Sequence, residues 1–373
     1  MERTALAARR SGYSQTLGFS TMAHPDVAAF SGWQGLPLKE GHPPGILVIA
    51  ASDILAETGW LKATAAANLE ANHWAAVPDR LILIPTALTS AALAALDEAP
   101  APENLASIAE RLSQRLGPSS PLPAGIDPLI VAGPDDIPPA ERRLMRALVK
   151  NTDGFMARHV ERPISLAVSR LLAPTPITPN QMTLISVAIG LLGAPFFLSA
   201  QAHWQTLGAL LFLAHSILDG CDGELARLKF KESRWGGILD FWGDNVVHSA
   251  IFACMAIGWS IATGHSWPLL LGGSAVLGTL GSAGFVYGRT MRPKTGVGPL
   301  YTSVAAEPGK RFAQTLDALS RRDFIYLVIA LALFGRADWF LLLTAIGAPV
   351  FFFMLVFLAF REDRNAKAGA QIS

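Results

Sequence analysis

Six apolar segments crowd the second half of this chain, at roughly 181–201, 204–220, 236–262, 267–288, 323–337 and 339–360. A helix needs about 20 mostly apolar residues to cross a bilayer. In lipid, every backbone polar group must also find a partner inside the protein, which a helix provides by itself. The region is therefore expected to fold as a bundle of membrane helices. The first, third, fourth and sixth segments reach the required length alone. The second is cut short by an acidic motif. The fifth has only about a dozen apolar residues, so its helix is expected to begin earlier, near Gly309.

The N-terminal part is different. Its apolar runs are short: Gly45–Ala50, Leu81–Ile84 and Pro128–Ala132 read as buried strands. Helical patterns at roughly 57–72, 89–97 and 103–116 lie between them. Alternating strand and helix predicts a small soluble α/β domain over residues 1–138. Residues 1–40 show no clear periodicity and no apolar leader, so this part is expected to stay on the side of the membrane where it is made. The chain is 51% hydrophobic and 16% charged, with a formal net charge of +1. That balance provides no global field for nucleic acid. Cys221 and Cys254 both lie in apolar or motif sequence and read as small buried hydrophobes rather than as a disulfide.

Residues 139–178 form a linker of helical pattern. Arg142, Arg143, Arg146, Lys150, Arg158, Arg162 and Arg170 alternate with apolar positions. A basic amphipathic helix just before a membrane span fits the headgroup interface. Basic residues also set the topology. Lys229, Lys231 and Arg234 fall between spans two and three. Arg289, Arg292, Lys294, Lys310, Arg311, Arg321 and Arg322 fall between four and five, and Arg361, Arg364 and Lys367 close the chain. The opposite loops carry only Arg336. The positive-inside rule then places both termini in the cytoplasm of a bacterial-type inner membrane. The bundle domain spans 179–362, and 363–373 is a cytoplasmic tail.

The chemistry is concentrated between spans two and three. Asp219 and Asp222 are three residues apart, so on a helix they share a face, and Gly223 and Ala226 continue it with almost no side chain. Gly236, Asp240 and Asp244 are spaced by four and share another face. Residues 228–235 can turn the chain back, so two antiparallel helices would present four carboxylates to each other. Carboxylates at a membrane edge are costly unless they are paired or bound to cations. Hard oxygen donors without His or Cys favour Mg²⁺, Mn²⁺ or Ca²⁺ over zinc. Two close divalent ions suit phosphoryl transfer, where charge builds on both the entering and the leaving oxygen. Gly223, Ala226 and Gly236 leave room for a bulky ligand beside the backbone, and Arg227 offers a guanidinium fork to phosphate.

The run Asp219-x-x-Asp222-Gly223-x-x-Ala226-Arg227, then eight residues, then Gly236-x-x-x-Asp240-x-x-x-Asp244, resembles the signature of the CDP-alcohol phosphotransferase family at all eight fixed positions. The resemblance covers roughly residues 150–362. It implies a membrane all-α six-helix bundle, usually a homodimer, with its site in a cytoplasm-facing cavity. It implies that Asp219, Asp222, Asp240 and Asp244 hold two ions, Mg²⁺ or Mn²⁺. Gly223, Ala226, Arg227 and Gly236 would line the site of a CDP-linked donor, and Asp244 would be the general base toward an alcohol acceptor. Pro179-Asn180-x-x-Thr183 is similar to the way the family opens its first span, which makes Asn180 and Thr183 candidate nucleotide contacts. Local chemistry explains Thr178 as a helix cap and Pro179 as a first-turn residue without any ligand.

Arg289, Arg292, Arg321 and Arg322 are explained by topology alone. Their functional reading is an anion pocket for a phosphorylated acceptor, and the run Ser320-Arg-Arg-Asp323 resembles the branch that makes inositol-phosphate products. The stretches Gly133–Glu141 and Lys150–Gly154 resemble the end of a sugar-nucleotidyltransferase domain fused ahead of such bundles. A Gly-rich nucleotide loop after the first strand is missing, so that domain is expected to be degenerate. His215 and His248 lie four residues outside Asp219 and Asp244. They read as polar bundle residues near the site, with a supporting role to the carboxylates as the alternative. Glu224 reads as solvated or helix-pairing. Trp204, Trp235, Trp267 and Trp339 mark span ends. Two other classes compete with the enzyme: an ion-coupled transporter using the Asp cluster, and a catalytically inactive relative. No internal repeat supports the first, and four intact Asp oppose the second.

Overall fold

The computed structural model describes residues 154–291 and 324–370 continuously, residues 105–149, most of 46–97, and short pieces at 7–8, 17–18 and 28–29. It divides into two compact units, Met1–Arg146 and Ala147–Ser373.

In the first unit, the two-residue strands β1 (Leu17–Gly18) and β2 (Ala28–Ala29) pair in parallel. A three-stranded sheet of β3 (Ile46–Ala50), β4 (Ala75–Val77) and β5 (Leu81–Pro85) forms the centre, in the order β3-β5-β4. Both of its pairings are antiparallel. β5 reads as an unbroken apolar run because all five of its residues are buried. Helices α1 (Thr58–Ala65), α2 (Thr86–Asp97) and α3 (Leu105–Leu116) complete the unit, and α4 (Ile137–Arg146) ends it. Ile49, Trp74, Ile82, Ile84, Ala92, Ile108 and Leu112 make one core. Trp74 Nε1, which could not be buried unpaired, donates to the Gly117 carbonyl at 2.9 Å.

One expectation is corrected: Pro128–Ala132 is not a strand and contributes only an isolated bridge between Ile130 and Ile54.

In the second unit, a π-helical turn (Ala157–Glu161) leads into α5 (Arg162–Leu172). Then come α6 (Pro179–Gly193), a 3₁₀ turn (Ala194–Leu198), α7 (Ala202–Leu228), α8 (Arg234–Thr263) and α9 (Trp267–Val286). A π-helical turn (Tyr287–Met291), α10 (Phe324–Leu333) and α11 (Ala337–Ala370) follow. Among the described residues four helices are long and apolar enough to cross a membrane: Pro179–Leu198, Arg234–Thr263, Trp267–Arg289 and Ala337–Arg361. The protein is a multi-pass membrane protein. α7 is 27 residues long but carries the acidic motif within it. α10 is a shorter apolar helix, and the residues near Gly309, where the fifth span was expected to begin, lie outside the described residues.

The helices start and stop where the sequence gives local reasons. Thr178 and Gln181 form a reciprocal capping box at the start of α6, with Gln181 N donating to Thr178 Oγ1 at 3.3 Å and Thr178 N donating to Gln181 Oε1 at 2.9 Å. Ser233 caps α8 by accepting from Gly236 N at 3.0 Å. α8 ends at Gly264, whose φ of +69° is the left-handed conformation that suits glycine. Phe212, Val247, Ile251, Phe252, Phe340 and Leu341 sit in the buried core of the bundle. Small residues allow close crossings there: a Cβ on Gly258 would lie 2.3 Å from the Phe197 carbonyl oxygen. Trp204, Trp235, Trp267 and Trp339 are all exposed at helix ends, as an interfacial belt requires.

Candidate functional site

The site is built where the start of α6, the end of α7 and the start of α8 meet. The acidic motif does not end its helix; α7 runs through it to Leu228. The turn at 229–233 then reverses the chain. Phe230 takes φ +54°, a left-handed conformation that costs a side-chain-bearing residue about 1–2 kcal/mol. Lys229 Nζ braces this turn by donating to the Thr175 and Ile177 carbonyls, both at 2.7 Å.

Across that turn Asp219, Asp222 and Asp240 each bring a carboxylate oxygen within 4.8 Å of the others. Asp219 and Asp222 are 5% and 7% exposed. Asp240 Oδ1 is buried with no hydrogen-bond partner. Three close carboxylates repel each other strongly in a low-dielectric setting, and an oxygen with no proton donor is an acceptor waiting for a cation. The donor set is all hard oxygen, so these residues fit one divalent cation of the Mg²⁺, Mn²⁺ or Ca²⁺ type.

Asp244, one turn further along α8, lies within electrostatic reach of Asp222 and Asp240. Its Oδ1 is 3.4 Å from His215 Nε2. The imidazole is only 2% exposed, and its Nδ1 lies 3.0 Å from the Ser186 carbonyl. A carbonyl can only accept, so Nδ1 carries the proton and the ring orientation is fixed. Of the two readings the sequence offers for His215, a polar bundle residue or a support to the carboxylates, its place directly behind the fourth carboxylate favours the second. Its position four residues before Asp219 was the available signal.

Thr183 has a similar place. It is 1% exposed, and its hydroxyl donates to Asp222 Oδ2 and lies 3.2 Å from the Pro179 carbonyl. Asn180, one turn earlier, is exposed. A Cβ on Gly236 would lie 2.9 Å from Asn180 Oδ1, so the first turn of α6 and the first turn of α8 abut. Gly223 faces the guanidinium of Arg227; a Cβ there would sit 3.4 Å from Arg227 Nη1. Arg227 Nη2 also donates to the Leu148 carbonyl at 3.4 Å. Ala226, half-buried, completes the small-residue face.

The opposite face of α7 is held by α5. Glu224 is fully buried and accepts from Arg162 Nη1 at 2.8 Å, Ser165 Oγ at 2.8 Å and Ser169 Oγ at 2.7 Å. A Cβ on Gly220 would lie 3.1 Å from Arg162 Nη1, so that glycine admits the guanidinium. Glu224 is thus helix-pairing, and Arg162 is turned inward rather than toward headgroups. Glu161 is also buried: it accepts from Ser216 Oγ at 3.0 Å and faces Tyr326 OH at 3.4 Å. Nothing in the sequence pattern marked Glu161, whose two neighbours come from distant helices. Of the arginines considered for an acceptor, Arg289 is half-buried and donates to the Ala359 carbonyl at 3.4 Å. Arg292, Arg321 and Arg322 lie outside the described residues.

Comparison with known proteins points the same way. Residues 176–348 match the family model for CDP-alcohol phosphatidyltransferase. The chain is 41% identical over 124 residues to the bifunctional IPC transferase and DIPP synthase of Thermococcus kodakarensis, covering 33% of this chain and 28% of that protein. It is 31% identical over 153 residues to the archaetidylinositol phosphate synthase of Pyrococcus horikoshii, covering 41% of this chain and 73% of that protein. It is 28% identical over 120 residues to the phosphatidylinositol phosphate synthase of Corynebacterium glutamicum, covering 32% and 52% respectively.

Proposed function

Because this chain belongs to the CDP-alcohol phosphatidyltransferase family, we propose that it transfers a substituted phosphate group from a CDP-linked donor to an alcohol acceptor, with release of CMP. The observation that carries this reading is the carboxylate cluster of Asp219, Asp222 and Asp240, set beside Asn180 and Gly236 on the abutting first turns of α6 and α8. A donor whose pyrophosphate lies over the cluster can place its nucleoside against that small-residue surface.

Asp219, Asp222 and Asp240 would hold one divalent ion, and Asp244 would share in holding a second. Bound there, such ions neutralise the pyrophosphate and lower the pKa of the acceptor hydroxyl. The rest of the work falls to side chains. Arg227 exchanges its carbonyl contact for a donor phosphate oxygen. Gly223, Ala226 and Gly236 let the donor approach the backbone. Asp244 accepts the hydroxyl proton, the oxygen attacks the β-phosphorus, and CMP departs. Thr183 fixes which oxygen of Asp222 faces inward through its hydroxyl hydrogen bond, and His215 packs behind Asp244.

The relatives named for archaetidylinositol phosphate and phosphatidylinositol phosphate synthesis make an inositol-phosphate acceptor or product the favoured chemistry. Arg289, Arg292, Arg321 and Arg322 would supply the anion pocket for it. α7 and α10 would be the second and fifth of six spans, with the site and both termini cytoplasmic, and the bundle would work as a homodimer. The first unit is read as a degenerate nucleotidyltransferase-like domain with no cytidylyltransferase activity of its own.

The test is a CMP-release assay on purified protein in detergent with Mg²⁺ or Mn²⁺. CDP-diacylglycerol and CDP-inositol would be crossed with inositol, inositol phosphate, glycerol phosphate and ceramide. Metal-dependent release with one pair is expected. Folded protein that binds neither CDP nor a divalent ion would overturn the enzyme reading.

A further inference from the structure

The far end of the bundle carries a second polar feature. A cavity of about 190 Å³ opens between the 3₁₀ turn after α6, the first turn of α7, the last turns of α8 and the junction of α10 with α11. Asp240 and Trp259 stand near opposite ends of the same continuous helix. At ~1.5 Å per residue they are about 29 Å apart, close to the ~30 Å hydrocarbon thickness of a bilayer. This cavity therefore faces the interface opposite the carboxylate cluster and is a separate site.

Its walls are apolar, from Phe197, Met255 and Trp259, but its rim carries one full charge of each sign. Arg336 is half exposed, lies over the Trp339 ring at 4.9 Å, and approaches Asp338 at 3.5 Å. No other Lys or Arg occurs in 197–207, 257–271 or 331–341. Gln205 on the wall is already used: its Nε2 donates to the Ser199 carbonyl at 3.0 Å, and its Oε1 accepts from Ala337 N at 3.1 Å. The charged groups at the rim are thus a guanidinium and a carboxylate side by side, the carboxylate also accepting from the backbone N–H groups of Asp338 and Trp339. A guanidinium forks onto phosphate; a carboxylate on the same rim repels a second negative charge and attracts an ammonium. The volume is below the roughly 300–1,000 Å³ of drug-sized ligand pockets and suits a headgroup rather than a whole lipid.

We infer that this cavity binds the headgroup of a zwitterionic phospholipid, a phosphate on Arg336 with a primary ammonium on Asp338. The acyl chains continue down the apolar surface of α8 beside Ile257 and Ile261, which are exposed. Arg336 is 52% exposed and Asp338 14%, so the guanidinium is the partner that can swing to a headgroup phosphate, which replaces one charge-assisted contact by another.

Native mass spectrometry of the detergent-solubilised protein, with phosphatidylethanolamine and phosphatidylglycerol added at equal concentration, tests this. Wild type should retain phosphatidylethanolamine in preference. Arg336→Gln should lower that retention about tenfold, the scale of a lost charge-assisted contact. Asp338→Asn should abolish the preference over phosphatidylglycerol. The double exchange Arg336→Asp with Asp338→Arg should restore it in part, and an unchanged size-exclusion profile shows that each variant is folded. Equal retention by wild type and Arg336→Gln, or no preference in wild type, would overturn the proposal. Soluble phosphoethanolamine binding as tightly as the lipid in lipid-free detergent would overturn the lipid as its source.

Discussion

His215 Nε2 stands 3.4 Å from Asp244 Oδ1, while its other ring nitrogen is fixed on the Ser186 carbonyl. The ring thereby links three helices, α6, α7 and α8, at the carboxylate proposed to take the acceptor's proton. Partners of this kind usually change metal affinity or activity by about 10–100-fold when removed. His215→Phe keeps the ring volume against Phe212 and should lower kcat within that range, with a smaller change in KM for the donor. His215→Gln should recover part of the loss. Equal kcat in wild type and His215→Phe, measured by CMP release, would remove the residue from the mechanism.

Thr183 donates to Asp222 Oδ2 from a fully buried position. Thr183→Val has nearly the same shape but no donor. It should weaken divalent-ion affinity about tenfold, read by calorimetric titration, while Thr183→Ser should stay close to wild type.

Arg162 and Glu224 form a buried pair supported by Ser165 and Ser169. Removing one partner from a buried pair costs about 3–5 kcal/mol. Arg162→Met should therefore destabilise the protein strongly in thermal unfolding, and the double change Arg162→Met with Glu224→Met should recover much of that. Independent losses that simply add would contradict the coupling.

A Cβ on Gly236 would displace the side chains of Asn180 and Ser233. Gly236→Ala should shift Asn180 at the junction of α6 and α8 and reduce CDP affinity by about tenfold, with little change in overall stability, because alanine's helix preference of about 1 kcal/mol offsets the displacement. Gly284, which has open space around its Cβ position, is the matched control and should bind CDP normally as Gly284→Ala.

The helices of the second unit were legible because lipid imposes a single requirement, a long apolar helix, on each span. Pro179, Arg234 and Trp267 each begin a helix within two residues of the sequence expectation. The cluster of Asp219, Asp222 and Asp240 was legible because helical spacing alone places side chains on one face. What escaped was long-range. Glu161 meets Ser216 and Tyr326, and Glu224 meets Arg162, through helix packing that no local pattern encodes. The third strand expected at Pro128–Ala132 is likewise decided by tertiary packing: Ile130 makes one bridge, to Ile54 outside the sheet, rather than joining a sheet edge.

The central claim is that the carboxylate cluster does metal-dependent phosphoryl transfer. The most direct measurement is CMP release by wild type and Asp240→Asn across a Mg²⁺ or Mn²⁺ titration, with folding checked by thermal unfolding. The account predicts turnover that requires the divalent ion in wild type and is abolished in a folded Asp240→Asn protein. Turnover in Asp240→Asn equal to wild type, or release unaffected by chelator, would contradict it.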